Sequence, residues 1–246
     1  MGITARHITF SYESRVILAD LDLTIPEGEM WGLVGRSGTG KTTLLQVLAG
    51  LFEPTSGEVT VSGREGMGAG RIRGVVFQDD SLLGWLSAID NLLFPHHRTA
   101  NGTQREQAVK TLESVGLADR ASDFPNQFSA GMRKRLEFAR ALLADNHYIL
   151  ADEPFGTLDA LTRRDLWSLW AAARKTTPRT GLLSTHDAEE ALRLCDAVAV
   201  LRSVTPTHVA EIVQVPPSVR ALGANCDNQE LWTLRDAIVR SLGVQP

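Results

Sequence analysis

Cysteine is scarce in this chain. Its 246 residues include two, Cys195 and Cys226, with no CxxC pair and no metal-like cluster. This argues against a disulfide framework and suits a reducing compartment. Each thiol is expected to act as a small buried hydrophobe. Long apolar runs are also missing, and no stretch is long enough to cross a bilayer. Any work at a membrane then needs a membrane part from another chain. Positive charge is not in excess: 25 Lys and Arg stand against 29 Asp and Glu, a net charge of -4, so no general nucleic-acid surface is indicated. The opening residues MGITARHITF hold no basic region followed by an apolar one, so no signal peptide is expected. Gly2 lacks the Ser or Thr that myristoylation requires. Internal repeats and low-complexity segments are absent too.

What is present is ordinary for a globular protein, with room for one large domain or two small lobes. ITARHITF, VILADLDLTI and MWGLVG alternate as strands do, and PEGE makes the turn before the third. TLLQVLAGL has helical spacing and ends at a glycine. EPTSGEVTVSG reads as a turn and a short strand, and RGVVFQ as a β-branched strand. From about Ser87 to Asp145 the pattern turns helical. There QREQAVKTLESVGL places Ala108, Leu112 and Val115 on one face and ends at Gly116. Strands and helices then alternate through HYILAD, ALTRRDLWSLWAAARK, TGLLST, DAEEALRLC and AVAVL, which is a βαβ pattern with a parallel sheet. The tail offers a weak strand, HVAEIVQV, and an amphipathic helix, NQELWTLRDAIVRSL. The expected organisation is a single α/β domain. Residues 1–86 and 146–246 are expected to form its core with a β subdomain, and 87–145 an inserted helical lobe.

Three short stretches carry chemistry. GRSGTGKT, comprising Gly35, Arg36, Ser37, Gly38, Thr39, Gly40, Lys41 and Thr42, matches G-x-x-x-x-G-K-[ST], and Thr43 follows it. It follows a strand and opens a helix. Its glycines let backbone N–H groups curl toward phosphate oxygens. Lys41 can bridge β- and γ-phosphates, and the Thr42 hydroxyl can hold Mg²⁺. A glycine-rich turn that only caps a helix is the competing reading. HYILADEP sets Asp152 and Glu153 at the end of a buried strand, one carboxylate for the Mg²⁺ shell and one to polarise water. A plain capping pair is the alternative. QFSAGMRKRLE holds Ser129 and Gly131 before three cations, Arg133, Lys134 and Arg135. It looks like a helix start built to receive an anion, although a solvated basic helix start would read the same way.

Together these stretches resemble the ATP-binding subunit of an ABC transporter, over nearly the whole chain. GRSGTGKT resembles Walker A and YILADE resembles Walker B. Gln78 in VVFQDD matches the Q-loop, Asp159 in GTLD the D-loop, and His186 in LLSTHD the switch histidine. FSAGM stands where the family has its signature, usually LSGGQ, with Phe128, Ala130 and Met132 as departures. The resemblance implies a P-loop NTPase cassette with a RecA-like parallel-sheet core, an N-terminal antiparallel β subdomain and an inserted helical lobe. It implies ATP and Mg²⁺, with Glu153 as general base and His186 as γ-phosphate sensor. Gln78 would reach the Mg²⁺ or the lytic water. Tyr12 would stack on adenine with Val16 beside it. Two subunits would pair head to tail, so that Ser129 and the backbone of Gly131 meet the partner's ATP. The extra methyl of Ala130 would crowd that nucleotide or restrict the backbone. Leu82, Leu83, Trp85 and Leu86 would receive a coupling helix of an integral-membrane permease, or else pack in the core.

FQDDSLLGWLSAIDNLLF and DEPFGTLDALTR look most like the nitrate/sulfonate/taurine importers. That resemblance places the chain at the cytoplasmic face of the membrane, held by the permease and served indirectly by a substrate-binding protein. Two rivals stay open. A soluble ABC ATPase of DNA repair or translation usually carries a coiled-coil insert or tandem cassettes, which this chain lacks. A P-loop kinase would leave the signature, D-loop and switch histidine without work.

Overall fold

The computed structural model describes residues 2–62, 64–65, 73–76, 81–96, 101–144, 146–156, 158–176, 178–202, 207–220 and 228–243. Gln78 and Cys226 lie outside them. In chain order come β1 (Ile3–Tyr12), β2 (Arg15–Ile25), β3 (Met30–Gly35), α1 (Lys41–Ala49), β4 (Ser56–Val61), β5 (Arg64–Glu65) and β6 (Arg73–Val76). Then come α2 (Ala88–Leu93), α3 (Gly102–Ser114), α4 (Ala130–Leu143), β7 (Tyr148–Asp152), α5 (Ala160–Thr176), β8 (Thr180–Thr185) and α6 (Ala188–Leu194). The chain closes with β9 (Ala197–Arg202), β10 (His208–Gln214), α7 (Pro217–Arg220) and α8 (Gln229–Ser241).

Two sheets form. One is antiparallel, in the order β2-β1-β4-β5, and the other has the order β10-β9-β3-β8-β7-β6. The second is parallel from β9 to β6, and the weak strand of the tail joins its edge antiparallel as β10. Strands β3, β7 and β8 are buried along their whole length, as expected of parallel strands covered on both faces. Successive side chains point to opposite sides. Tyr148, Leu150 and Leu182 join a core with α1 and the antiparallel sheet, whereas Ile149, Ala151 and Leu183 join a core with α2 to α5. The second core runs without a break from Met30 and Leu183 of the sheet to Leu112 of α3.

Local signals account for the helix ends. Asn101 and Gln104 cap α3 reciprocally, at 3.0 and 2.9 Å. Ala108, Leu112 and Val115 are all buried, as the spacing predicted. Trp170 of α5 stacks on Phe138 of α4 with centroids 5.5 Å apart. Cys195 is buried, and burial pushes its thiol far above the ordinary range.

An ionic knot closes the back of the sheet. The Asp196 carboxylate, at the start of β9, accepts the Met30 N–H at 2.7 Å and is paired with Arg174 of α5 and Arg220 of α7. One side chain thus ties two strands to two helices. Removing it leaves the Met30 N–H without its acceptor and takes the carboxylate from two guanidinium groups, of which Arg174 keeps the Leu194 carbonyl, a cost of about 3 kcal/mol for a largely buried pair. Asp196→Ala is therefore expected to lower the unfolding free energy by about 3 kcal/mol in urea titration. A loss under about 1 kcal/mol would mean that the knot behaves as a surface pair.

Candidate active site

The glycine-rich loop leaves the C-terminal end of β3 and enters α1. Gly40 stands at the helix start with φ 82°, and no side chain caps the first turn. A Cβ at Gly40 would lie 3.0 Å from Ile17 Cγ2 and 3.2 Å from Leu18 Cδ2, on top of the positive φ. The loop braces itself: Thr39 N and Oγ1 both donate to the Arg36 carbonyl, at 3.2 and 2.8 Å. The first N–H groups of α1, from Lys41 through Thr43, thus form an uncapped positive helix end.

Lys41 is buried, and its Nζ lies 3.0 Å from the Gly35 carbonyl and 3.3 Å from Glu153 Oε1. The other Glu153 oxygen lies 3.3 Å from Nδ1 of His186. One carboxylate therefore bridges the loop lysine and the histidine. Glu153 also has φ 41°, unusual for a side-chain-bearing residue and worth about 1–3 kcal/mol of strain. Its N–H is held at 3.1 Å by both the carbonyl and the hydroxyl of Ser184. The Ser184 hydroxyl in turn donates to Asp152 at 2.5 Å. Ser184 was not among the sequence candidates, although it stands two residues before His186. Its serine at the end of an apolar strand was the available signal.

Thr42 is exposed, and it shares a cavity of about 30 Å³ with Asp152. Among the described residues no three His, Cys, Asp or Glu side chains cluster for a metal. Two hard oxygen donors at a phosphate loop fit Mg²⁺, which keeps waters and takes substrate phosphates as ligands. Gln78 lies outside the described residues. Soon after it, Ser81 is bound through N and Oγ to Glu137 of α4, at 2.5 and 2.9 Å. Tyr12 is 46% exposed at the tip of the β1–β2 hairpin, packed edge-on against Phe10 and Phe52. Val16 is also exposed, next to Ile17, which touches the loop at Gly40.

The FSAGM stretch is organised differently from its sequence appearance. Ser129 is exposed and caps α4, its hydroxyl accepting the Met132 N–H at 3.3 Å. Exposed Ala130 begins the helix. Gly131 packs against α5, where an added Cβ would lie 3.0 Å from Thr162 Cγ2. The three cations are not poised for an anion. Arg133 donates to the Phe128 carbonyl at 2.7 Å, Lys134 is buried on Glu137 at 2.8 Å, and Arg135 pairs with Asp165 at 3.1 Å. The expectation of a basic anion receiver is corrected on that point, because α4 spends its cations on internal contacts. Asp159 caps α5, accepting Leu161 N, Thr162 N and Thr162 Oγ1 at 3.0, 3.0 and 2.7 Å. Those bonds, the Thr162 N–H first, hold its carboxyl below the usual range. Leu82 packs on the core, Leu83 and Leu86 are half-buried, and Trp85 is 73% exposed.

Residues 18–156 match the family model described as ABC transporter. The chain is 40% identical over 220 residues to the aliphatic sulfonates import ATP-binding protein SsuB 1 of Rhodococcus jostii, covering 89% of this chain and 87% of that one. It is 42% identical over 205 residues to the taurine import ATP-binding protein TauB of Pseudomonas aeruginosa, covering 81% and 78%. Its fold superposes with TM-score 0.76 on a solved dimeric ATP-binding cassette, MJ0796, in a post-hydrolysis state bound to ADP and Pi. That structure is 28% identical, with 87% of this chain and 99% of that chain covered.

Ser184→Ala tests the support under the two carboxylates. Binding of a fluorescent ATP analogue should stay within about threefold of the parent, because the loop is untouched. Phosphate release should fall roughly tenfold, equivalent to about 1.4 kcal/mol, because Asp152 and Glu153 lose a shared anchor. Unchanged release would make Ser184 a packing residue only.

Proposed function

The chain belongs to the ABC transporter family, and from that premise we propose that it is the ATP-binding and ATP-hydrolysing subunit of an importer for aliphatic sulfonates or taurine. The observation that carries the hydrolytic part is the Glu153 carboxylate bridging Lys41 and His186. The relatives that import sulfonates and taurine support the cargo. So does the stretch around Leu82 to Phe94, which resembles the same group.

The chemistry follows from what these groups hold. Before nucleotide arrives, Lys41 is satisfied by Glu153 and by the Gly35 carbonyl. The phosphates of ATP bring more negative charge into the loop, and Lys41 turns to them with the N–H groups of residues 38–43. Glu153 then loses its lysine partner, and the freed carboxylate oxygen takes a proton from the attacking water. His186, on the other carboxylate oxygen, keeps Glu153 aimed and meets the γ-phosphate. Thr42 and Asp152, with Gln78, would hold Mg²⁺, which supplies charge neutralisation at the phosphate oxygens. Tyr12 and Val16 offer adenine a flat apolar surface, worth on the order of 1 kcal/mol.

Ser129 and Gly131 serve a second copy. In this reading they close over the ATP of a head-to-tail partner, with Ser129 and Ala130 exposed at the start of α4 and Asp159 at the seam. The dimeric cassette of like fold supports that arrangement. No helix among the described residues is long and apolar enough to cross a membrane. The transport path then belongs to permease subunits, which hold this chain at the cytoplasmic face of the membrane. Exposed Trp85, with Leu83 and Leu86, is the contact we assign to them. A substrate-binding protein delivers cargo to the permease from the other side.

Glu153→Gln keeps size and shape but removes the base. It should bind MgATP, accumulate as a dimer in size-exclusion chromatography, and turn over roughly 10³-fold more slowly. Parental turnover by this variant would remove Glu153 from the chemistry. Reconstituted with its permease in proteoliposomes, the wild-type chain should drive MgATP-dependent uptake of labelled taurine or an alkanesulfonate, and Glu153→Gln should not. Uptake of neither by an otherwise active ATPase would move the cargo to another class.

A Ser129→Arg chain should bind ATP alone as the parent does, yet neither dimerise with ATP nor hydrolyse it. Paired with Lys41→Ala it should leave one intact composite site that still releases phosphate. Loss of ATP binding by folded Ser129→Arg monomer would place Ser129 at its own chain's nucleotide.

A further inference from the structure

One buried carboxylate close to His186 has no part in the chemistry above. Glu190 lies within α6 and is 3% exposed. Glutamate is seldom buried without a compensating cation, and among the described residues none lies within ion-pair distance of it. Its Oε2 accepts the indole N–H of Trp167, in α5, at 3.1 Å, and the Thr185 side chain at the end of β8 lies near it. Burial raises its carboxyl to about 7, against the opposing pull of Thr185 and Trp167.

The surroundings join two catalytic segments. Arg163, one turn before Trp167 on α5, lies 3.6 Å from Asp187 and donates to the Leu158 carbonyl at 3.3 Å. Its Nε is buried without a hydrogen-bond partner. Asp187 caps α6 by accepting the Glu189 and Glu190 N–H groups at 2.9 and 3.3 Å, and its own N–H goes to Thr185 Oγ1 at 3.0 Å. A continuous set of contacts therefore runs from Leu158, beside Asp159, through Arg163, Asp187, Glu190 and Trp167, to Thr185, beside His186.

We propose that Glu190 is a positioning residue for hydrolysis, which through Trp167, Thr185 and Asp187 locks the His186 segment to the Leu158–Asp159 end of α5. The inference rests on the reading of this site as an ATP-hydrolysis centre. Ionised Glu190 accepts the Trp167 N–H in a charge-assisted bond, which is stronger than a neutral one. The charged groups around it are Arg163 from α5 and Asp187 at the helix cap. Arg193 of the same helix is engaged by Glu189 at 2.8 Å, and the Cys195 thiol stays neutral. The elements β3, α7 and α8 present Val34, Val219, Leu231 and Ile238, which carry no charge.

A folded value above the ordinary 4.5 means that the native state holds the proton more tightly than the unfolded chain. The stability this group contributes is full below the ordinary value and is lost as pH rises through about 7. Ionised Glu190 is thus a cost to the fold, and a positioning role and a structural role separate by experiment.

The full chain is compared as wild type, Glu190→Gln, Glu190→Ala and Trp167→Phe, with Lys41→Ala as the dead control. Glu190→Ala and Trp167→Phe should lower kcat roughly tenfold, with KM and the Kd of a fluorescent ATP analogue within about twofold. Glu190→Gln should match wild type at pH 6 and fall roughly fivefold below it at pH 8, while its Tm at pH 8 equals or exceeds that of wild type. Parallel loss of kcat and Tm at every pH, or no loss of kcat in any variant, would overturn the proposal. Equal phosphate release by wild type and Lys41→Ala would instead sink the hydrolysis reading. Amide exchange still tests the lock in that event. Residues 158–162 and 185–187 should exchange faster together in Glu190→Ala, and acceleration confined to α6 would refute the link.

Discussion

The site hangs on the parallel pairing of β8 with β3 on one side and β7 on the other. Their registers set Leu33 and Asp152 opposite Ser184, and Val34 opposite Thr185. The glycine-rich loop, the two carboxylates and the histidine therefore leave one edge of the sheet within a side chain's reach of each other. A slip of one residue in β7 would turn Asp152 to the other face. The burial of all three strands on both faces prevents that slip, because it would also turn Tyr148 and Leu150 to the wrong core.

Charge placement at that edge is economical. Glu153 is offered a lysine on one oxygen and a histidine on the other, and its strained backbone is held by Ser184. The lysine pairing keeps a buried cation compensated in the absence of phosphate. In the proposed reading the same pairing ties Glu153 to nucleotide, since whatever takes the lysine away changes the carboxylate's environment.

The helical part is wired to this edge by polar side chains rather than by apolar packing alone. Lys134 neutralises buried Glu137, and Glu137 holds Ser81, close after Gln78 in the chain. Arg140 donates to the Ser81 carbonyl at 2.9 Å. The helix that begins at Ser129 is thus bonded to the segment that leaves the nucleotide edge, and through Gly131 and Thr162 it also rests on the helix that begins after Asp159.

Contiguous signals were legible from the residues alone. The loop from Gly35 to Thr42 is recognisable because its chemistry depends on adjacent backbone groups. The strands MWGLVG, YILAD and TGLLST are recognisable because double-sided burial demands unbroken apolar runs, and α3 because a 3.6-residue period exposes its buried face. Contacts between distant segments were not legible. Lys41 and Glu153 meet only because β3 and β7 flank one strand. Ser184 acquires its task only from the register that sets it beside Asp152. Arg133, Lys134 and Arg135 read as a basic patch, yet the packing of α4 against its neighbours commits each to a partner. Local spacing reports which face a residue is on, whereas the identity of its partner across the fold is decided by strand order and helix packing.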